Sequence, residues 1–241
     1  MAPQTIGAVY MNNSGMTPQT ILFDLDLTLC QPRCAPDKLV AEAFDRANVN
    51  QYCTAADLST VESESLAADA NSELDYYRLC FEATAQQTGV DSEDALGVAR
   101  AYQAIGGHSD VEFLPGAETI LSDLKEGYSL GLVTNGLQEI QQQKVNTLGI
   151  DGVFDAVVFA TPEIGYKPDP APFRRALSAL ETAPENALHI GDSYATDVAG
   201  AHAIGTDSIW IPSAPSDEGQ ADTVPEPDRV FNSLCDLREV L

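Results

Sequence analysis

The chain has 241 residues, 44% hydrophobic and 20% charged, which is enough apolar material for a sizeable core in one domain or a domain with an insert. Its formal net charge is −25, from 37 acidic and 12 basic residues, so it lacks the clustered Lys and Arg with which nucleic acid binding neutralises phosphates. No apolar run approaches membrane-spanning length, and the N-terminus has no basic start followed by an apolar stretch, so neither a membrane span nor a secretory leader is expected.

The acids are spread along the whole chain, which argues against a disordered acidic tail. With only four lysines, the composition is similar to that of proteins from salt-loving organisms; a plain acidic protein is the alternative. Five cysteines, Cys30, Cys34, Cys53, Cys80 and Cys235, lack the paired close spacings of a zinc site and read as free thiols of a reducing cytoplasm.

Residues 1–18 show no clear periodicity and are set apart as an N-terminal extension; Met11 and Met16 leave open a later start of translation. "TILFDLD" then reads as a buried strand. Residues 33–108 break the pattern that follows it. Leu39, Val40, Ala43, Phe44 and Ala47 have helical spacing, as do Leu74, Tyr77 and Phe81, with Ser72 and Asp75 as an expected capping box. With Ala95, Leu96, Ala99 and Tyr102 they predict a bundle of about four helices inserted after the first strand.

"FLPGAETIL" marks the return to the core, which comprises 19–32 and 109–241. Strands are expected in "YSLGLVTNG" (128–136), "FDAVVFA" (154–160), "NALHIGDS" (186–193) and "TDSIWIP" (206–212). Helical patterns lie at 116–126, 136–148, 170–181 and 195–204. Strands alternating with such helices predict a doubly wound, Rossmann-like parallel α/β sheet, with ligands at the carboxyl ends of its strands. Residues 212–228, rich in Pro, Ser and Asp, read as a surface loop before a last short strand and helix.

The polar residues fall where that architecture would use them. "FDLDLT", "LVTNG" and "HIGDS" each place Asp or Thr at a strand end, and turn chemistry accounts poorly for all three. Asp24 and Asp26 repel each other when both are ionised, a conflict that a divalent cation removes. Asp192 and Asp197 add hard oxygen ligands of the kind magnesium takes. Lys167 is kept out of a helix by Pro168, and Asp169 is expected to cap the helix that follows. Carboxylates, a hydroxyl, a lysine and a metal suit phosphoryl transfer, with an aspartate as nucleophile, and no Ser–His–Asp or Cys–His set is evident.

"DLDLT" (24–28), "VTNG" (133–136), "GYKPDP" (165–170) and "GDSYATD" (191–197) together resemble, in order, the four motifs of the haloacid dehalogenase-like hydrolase superfamily. The resemblance implies that Asp24 attacks phosphorus to form an aspartyl-phosphate, and that Asp26 acts first as acid and then as base. It implies that Thr134 and the Asn135 amide region hold phosphoryl oxygens, with Lys167 neutralising them. Mg²⁺ would be held by Asp24, the Asp26 backbone carbonyl and Asp192, with Asp197 in support, and Thr28 would orient the aspartate loop.

Leu27 departs from the family pattern, where Gly, Asn or another polar residue is common. A positive φ would strain a leucine, so a shifted loop is expected. Asp26 argues against dehalogenation of organic acids, which goes with loss of the second aspartate, and for phosphate esters. The resemblance is strongest to nucleotidases and acylneuraminate phosphate phosphatases, with phosphoglycolate and sugar-phosphate phosphatases next. The ninety or so residues between Asp24 and Pro115, against 33 between Thr134 and Lys167, put a single helical cap after the first strand, where it would close over a small organic phosphate.

His189 reads as a core residue of a strand and His202 as a helix residue; neither these nor His108 has zinc-site neighbours. Arg33, Arg46, Arg78 and Arg100 of the cap are candidates to contact substrate, with surface solubility the favoured role for most of them. The leading function is a magnesium-dependent, cytoplasmic phosphomonoesterase. A phosphosugar mutase using the same aspartate pair and a silent binding module on the same fold are the alternatives. Natural substrate and oligomeric state are not readable from the sequence.

Overall fold

The computed structural model describes residues 17–62, 64–213 and 225–239. Most of the expected N-terminal extension and most of the acidic surface loop therefore lie outside the described residues. In chain order the core carries β1 (Thr20–Phe23), β2 (Cys30–Pro32), β3 (Val111–Phe113), α6 (Ala117–Leu124), β4 (Ser129–Asn135), α7 (Gln138–Leu148), β5 (Ala156–Ala160), α8 (Pro170–Ala179), β6 (Ala187–Gly191), α9 (Ala199–Ile204), β7 (Asp207–Trp210) and β8 (Arg229–Val230). Helices α1 (Pro36–Ala47), α2 (Ala55–Val61), α3 (Glu64–Asp69), α4 (Glu73–Thr88) and α5 (Ala95–Ala104) stand between β2 and β3.

Six strands form one parallel sheet in the order β5-β4-β1-β6-β7-β8, the α/β class expected. β1 lies inside the sheet, with Thr20 opposite Ser129 on one side and Ala187 on the other. Its "TILF" is apolar without alternation because both faces are covered. Ile21 and Phe23 pack with Ile120, Leu121 and Leu124 of α6. Leu22, pointing the other way, packs with Phe173, Ala176 and Leu177 of α8. Ile21, Leu22 and Phe23 are all fully buried, and truncating Phe23 to Ala would cost about 3–5 kcal/mol. The chain runs from β1 outward to β4 and β5 and then returns to the opposite side at β6. That reversal opens a crevice at the carboxyl ends of β1, β4 and β6.

Local signals set the helix limits. Asp169 accepts from Ala171 N at the start of α8, with Pro170 in the first turn, and Gly149 ends α7 in the left-handed conformation at φ 70°. Of the expected capping box at α4, one half forms: the Ser72 side chain accepts from Asp75 N, but Asp75 turns to Asn71 N. A complete box forms instead at Thr54 and Asp57.

Among the described residues the inserted segment holds five helices where about four were expected, the short α2 and α3 carrying too few residues to show a period. Phe44, Tyr77, Phe81, Val98 and Tyr102 form its own core, which Ile140 of α7 joins. β2 and β3 pair antiparallel, Cys30 opposite Phe113 and Pro32 opposite Val111, and so bring together the two ends of the insertion. Glu139 and Gln143 of α7 bond to Glu73 of α4 at 2.8 and 3.0 Å. One face of α7 thus abuts the inserted helices. No helix of the described residues is long and apolar enough to cross a membrane.

Candidate active site

Asp24 follows the last residue of β1, and its N–H donates to Ile190 O of β6, so the sheet itself fixes its backbone. Its Oδ1 accepts from Lys167 Nζ at 2.5 Å, and its Oδ2 is 3.4 Å from the Thr28 hydroxyl. Lys167 also donates to Asp197 Oδ1 at 2.7 Å. Asp197 receives His189 Nε2 at 2.9 Å and Ser193 N–H at 3.0 Å. Its approach requires a glycine: a Cβ on Gly191 would lie 2.3 Å from Asp197 Cγ. The helix expected at 195–204 opens with a wider π turn, Tyr194–Val198, before α9, a local irregularity common at functional sites. It carries Asp197 back under β6.

Asp24, Asp192 and Asp197 are buried and each offers an oxygen within 4.8 Å of the others. Hard carboxylate oxygens converging in this way could hold a divalent cation, and the one ammonium among them, Lys167, leaves carboxylates in excess. Burial pushes the Asp24 carboxyl up to about 8; the Asp197 and Asp192 carboxylates add to this and Lys167 opposes it. Burial also disfavours ionised Asp197, but Lys167 and His189 outweigh it and hold that carboxyl below its ordinary range. Burial opposes the Lys167 charge in turn, and Asp197 and Asp24 overcome it.

Asp26 points elsewhere. Lys144 Nζ sits 2.7 and 2.8 Å from its two oxygens, and Gln141 Nε2 lies 2.9 Å from Oδ2. Burial would raise this carboxyl, but Lys144 and then Gln141 hold it down. The two aspartates diverge because the chain turns directly after β1. Leu27 takes φ 58° with its side chain half exposed, and Leu29 N bonds back to Leu25 O. The expected loop shift is therefore corrected: the tight turn is kept, and Leu27 itself adopts the strained left-handed conformation.

Thr134 and Asn135, at the end of β4, join the two arms. The Gln141 amide nitrogen faces Thr134 Oγ1 at 2.6 Å and Asn135 O at 3.0 Å as well as Asp26. The Asn135 side chain clamps the Lys167 backbone, donating to its C=O at 3.0 Å and accepting from its N–H at 2.8 Å. The fold thus brings the Asp24, Thr28, Lys167, Asp192 and Asp197 side chains into one cluster, and links Asp26, Thr134 and Asn135 beside it.

Lys144 and Gln141 were not singled out from the sequence. The available signal was "LQEIQQQK", where one of four lysines in an acid-rich chain follows the β4 motif, and where Gln141 and Lys144 share a helical face three residues apart. Both are buried. His189 is a strand residue as expected, and it also bonds Asp197. Arg33, Arg46 and Arg78 of the inserted segment form ion pairs with neighbouring acids. All five cysteines are free.

The chain matches the haloacid dehalogenase-like hydrolase family over residues 21–211. It is 34% identical over 129 residues to the glyceraldehyde 3-phosphate phosphatase of Pyrococcus furiosus, covering 53% of this chain and 54% of that protein. It is 37% identical over 128 residues to the phosphoserine phosphatase of Thermus thermophilus, covering 52% and 49%. The chain spans about half the length of these curated relatives. Among solved structures it is similar in fold to the HAD-hydrolase YfnB of Bacillus subtilis bound to magnesium, with a TM-score of 0.70, 22% identity, and coverage of 92% and 97%.

Proposed function

This chain belongs to the haloacid dehalogenase-like hydrolases, and from that premise we propose that it is a magnesium-dependent phosphomonoesterase acting on a small organic phosphate. The observation that carries the reading is the Lys167 ammonium held between Asp24 and Asp197, beside Asp192, at the ends of β1 and β6. It offers an oxygen nucleophile together with positive charge for phosphoryl oxygens.

In this reading an Asp24 oxygen forms a bond to phosphorus while the ester oxygen departs with a proton from the Asp26 carboxyl. Water then gives that carboxylate a proton as its oxygen bonds to phosphorus, releasing Asp24 and inorganic phosphate. Thr134 and the backbone at Asn135 orient phosphoryl oxygens, Lys167 balances their charge, and Thr28 steadies Asp24. Asp24, the Asp26 carbonyl and Asp192, supported by Asp197, would hold Mg²⁺, which when bound offsets negative charge on the phosphoryl group. Residues 33–108 serve as the cap over the site, and the acidic surface suits high salt.

The test is release of inorganic phosphate from a panel of phosphate esters in molar salt, with magnesium or with chelator. Magnesium-dependent release that Asp24→Asn abolishes is expected. Full activity in chelator, or conversion of a hexose phosphate to its isomer without free phosphate, would refute the reading.

A further inference from the structure

Two cavities, of about 350 and 610 Å³, open against Asp26 and share Asp26, Glu62, His108 and Lys144 in their walls. Glu62 follows α2 and His108 lies between α5 and β3, so both come from the inserted segment. They meet with His108 Nε2 at 2.8 Å from Glu62 Oε1, each about a quarter exposed (28% and 26%). The smaller cavity continues from Asn135 to apolar Leu137 and Ile140. Its volume is in the range that takes a small organic ligand. Asp26 would protonate the departing oxygen from this side, so the released alcohol has to lie here.

The charges on these walls favour an uncharged group. Among the described residues lining either cavity, Lys144 is the one Lys or Arg, and its ammonium is taken by both oxygens of Asp26. Burial would raise the Glu62 carboxyl, but His108 and Lys144 hold it below its ordinary 4.5, so a carboxylate faces the cavity at neutral pH. A second anion on the substrate would meet the Glu62 carboxylate and find no guanidinium fork to receive it. Hydroxyl groups suit the same walls, since Glu62 accepts hydrogen bonds and the imidazole can donate or accept.

Resting on the phosphatase reading above, we propose that the alcohol released is uncharged and hydroxyl-bearing, as in a polyol, sugar or nucleoside. Glu62 paired with His108 is then the specificity-determining element that takes its hydroxyls and turns away a second anion. This disfavours phosphoglycolate, phosphoserine and pyrophosphate as substrates of this chain.

The experiment compares kcat/KM for glycerol 3-phosphate against 3-phosphoglycerate, and for glucose 1-phosphate against glucuronic acid 1-phosphate, with p-nitrophenyl phosphate as a separate probe. The uncharged member of each pair should be favoured by at least about tenfold, the effect of one like charge near Glu62 in a partly solvated site. Glu62→Gln, with folding verified by its melting transition, should narrow that ratio. Equal or inverted ratios in the wild type, while p-nitrophenyl phosphate is hydrolysed, would overturn this inference and leave the phosphatase reading standing. An unchanged ratio in folded Glu62→Gln would overturn the role of Glu62. If no ester is hydrolysed, both fall.

Discussion

Lys167 holds its ammonium 2.5 Å from Asp24 and 2.7 Å from Asp197, with all three side chains almost wholly buried. Asp197 is the carboxylate that depends most on that cation. Lys167→Met should therefore destabilise the chain by about 3–5 kcal/mol in chelator, the cost of leaving the buried Asp197 charge without its main partner. Magnesium should recover part of the loss, because a divalent ion can take over the neutralisation. Urea unfolding with and without magnesium measures both quantities, and an identical loss in the two conditions would count against Asp24 and Asp197 as metal ligands.

The same cluster predicts a pH dependence of the metal-free protein. Asp24 has its carboxyl raised from 3.8 to about 8, chiefly by burial. Between those values the folded chain binds more protons than the unfolded chain, so this group's contribution to stability falls as pH rises through the window. The wild type in chelator should lose stability from about pH 5 to 8 more steeply than Asp24→Asn, which has no proton to lose there. Parallel stability curves for the two proteins would show that Asp24 ionises normally.

The separate environments of Asp24 and Asp26 predict different failures. Asp24→Asn should abolish turnover of every ester, because the nucleophile is gone. Asp26→Asn should release aryl alcohol from an aryl phosphate in a burst comparable to the enzyme concentration and then stall, since a good leaving group needs little protonation but hydrolysis of the intermediate lacks its base. Intact mass should find phosphate on Asp24. Wild-type steady-state rates in Asp26→Asn would remove it from the mechanism.

Lys144 pairs with Asp26 across a boundary, its own side chain 9% exposed and that of Asp26 42%. Lys144→Met should cost little stability, about 1 kcal/mol or less, but it frees the Asp26 carboxylate from its anchor. The expected result is a fall in kcat of about tenfold or more for alkyl phosphates, where the lost positioning of Asp26 outweighs its easier protonation without Lys144, and a smaller fall for aryl phosphates. Equal losses on both classes would assign Lys144 a structural role alone.

With a net charge of −25, self-repulsion should weaken the fold in dilute buffer. At about 1 M salt the screening length falls to roughly 3 Å, so the melting temperature and affinity for phosphate esters should both rise between dilute buffer and molar KCl. A melting temperature that does not move would remove the high-salt reading.

The sequence alone determined the alternation that builds the sheet, because strand and helix periods are local properties of contiguous residues. β1, β4, β5, β6 and β7 all fall within the expected segments, and the polar residues at the strand ends mark one edge from the sequence pattern alone. Two things escaped. The antiparallel pairing of β2 with β3 joins three-residue strands roughly eighty positions apart, too short to carry a period. The separation of Asp24 from Asp26 was equally hidden. Alternation in an extended strand puts residues two apart on one face, but the turn at Leu27 sends one carboxylate to Lys167 and the other to Lys144. Only the tertiary structure brings Gln141 and Lys144 of α7 to Asp26, 115 or more positions away, because such a contact depends on how a helix packs across a sheet edge and leaves no pattern in either segment alone.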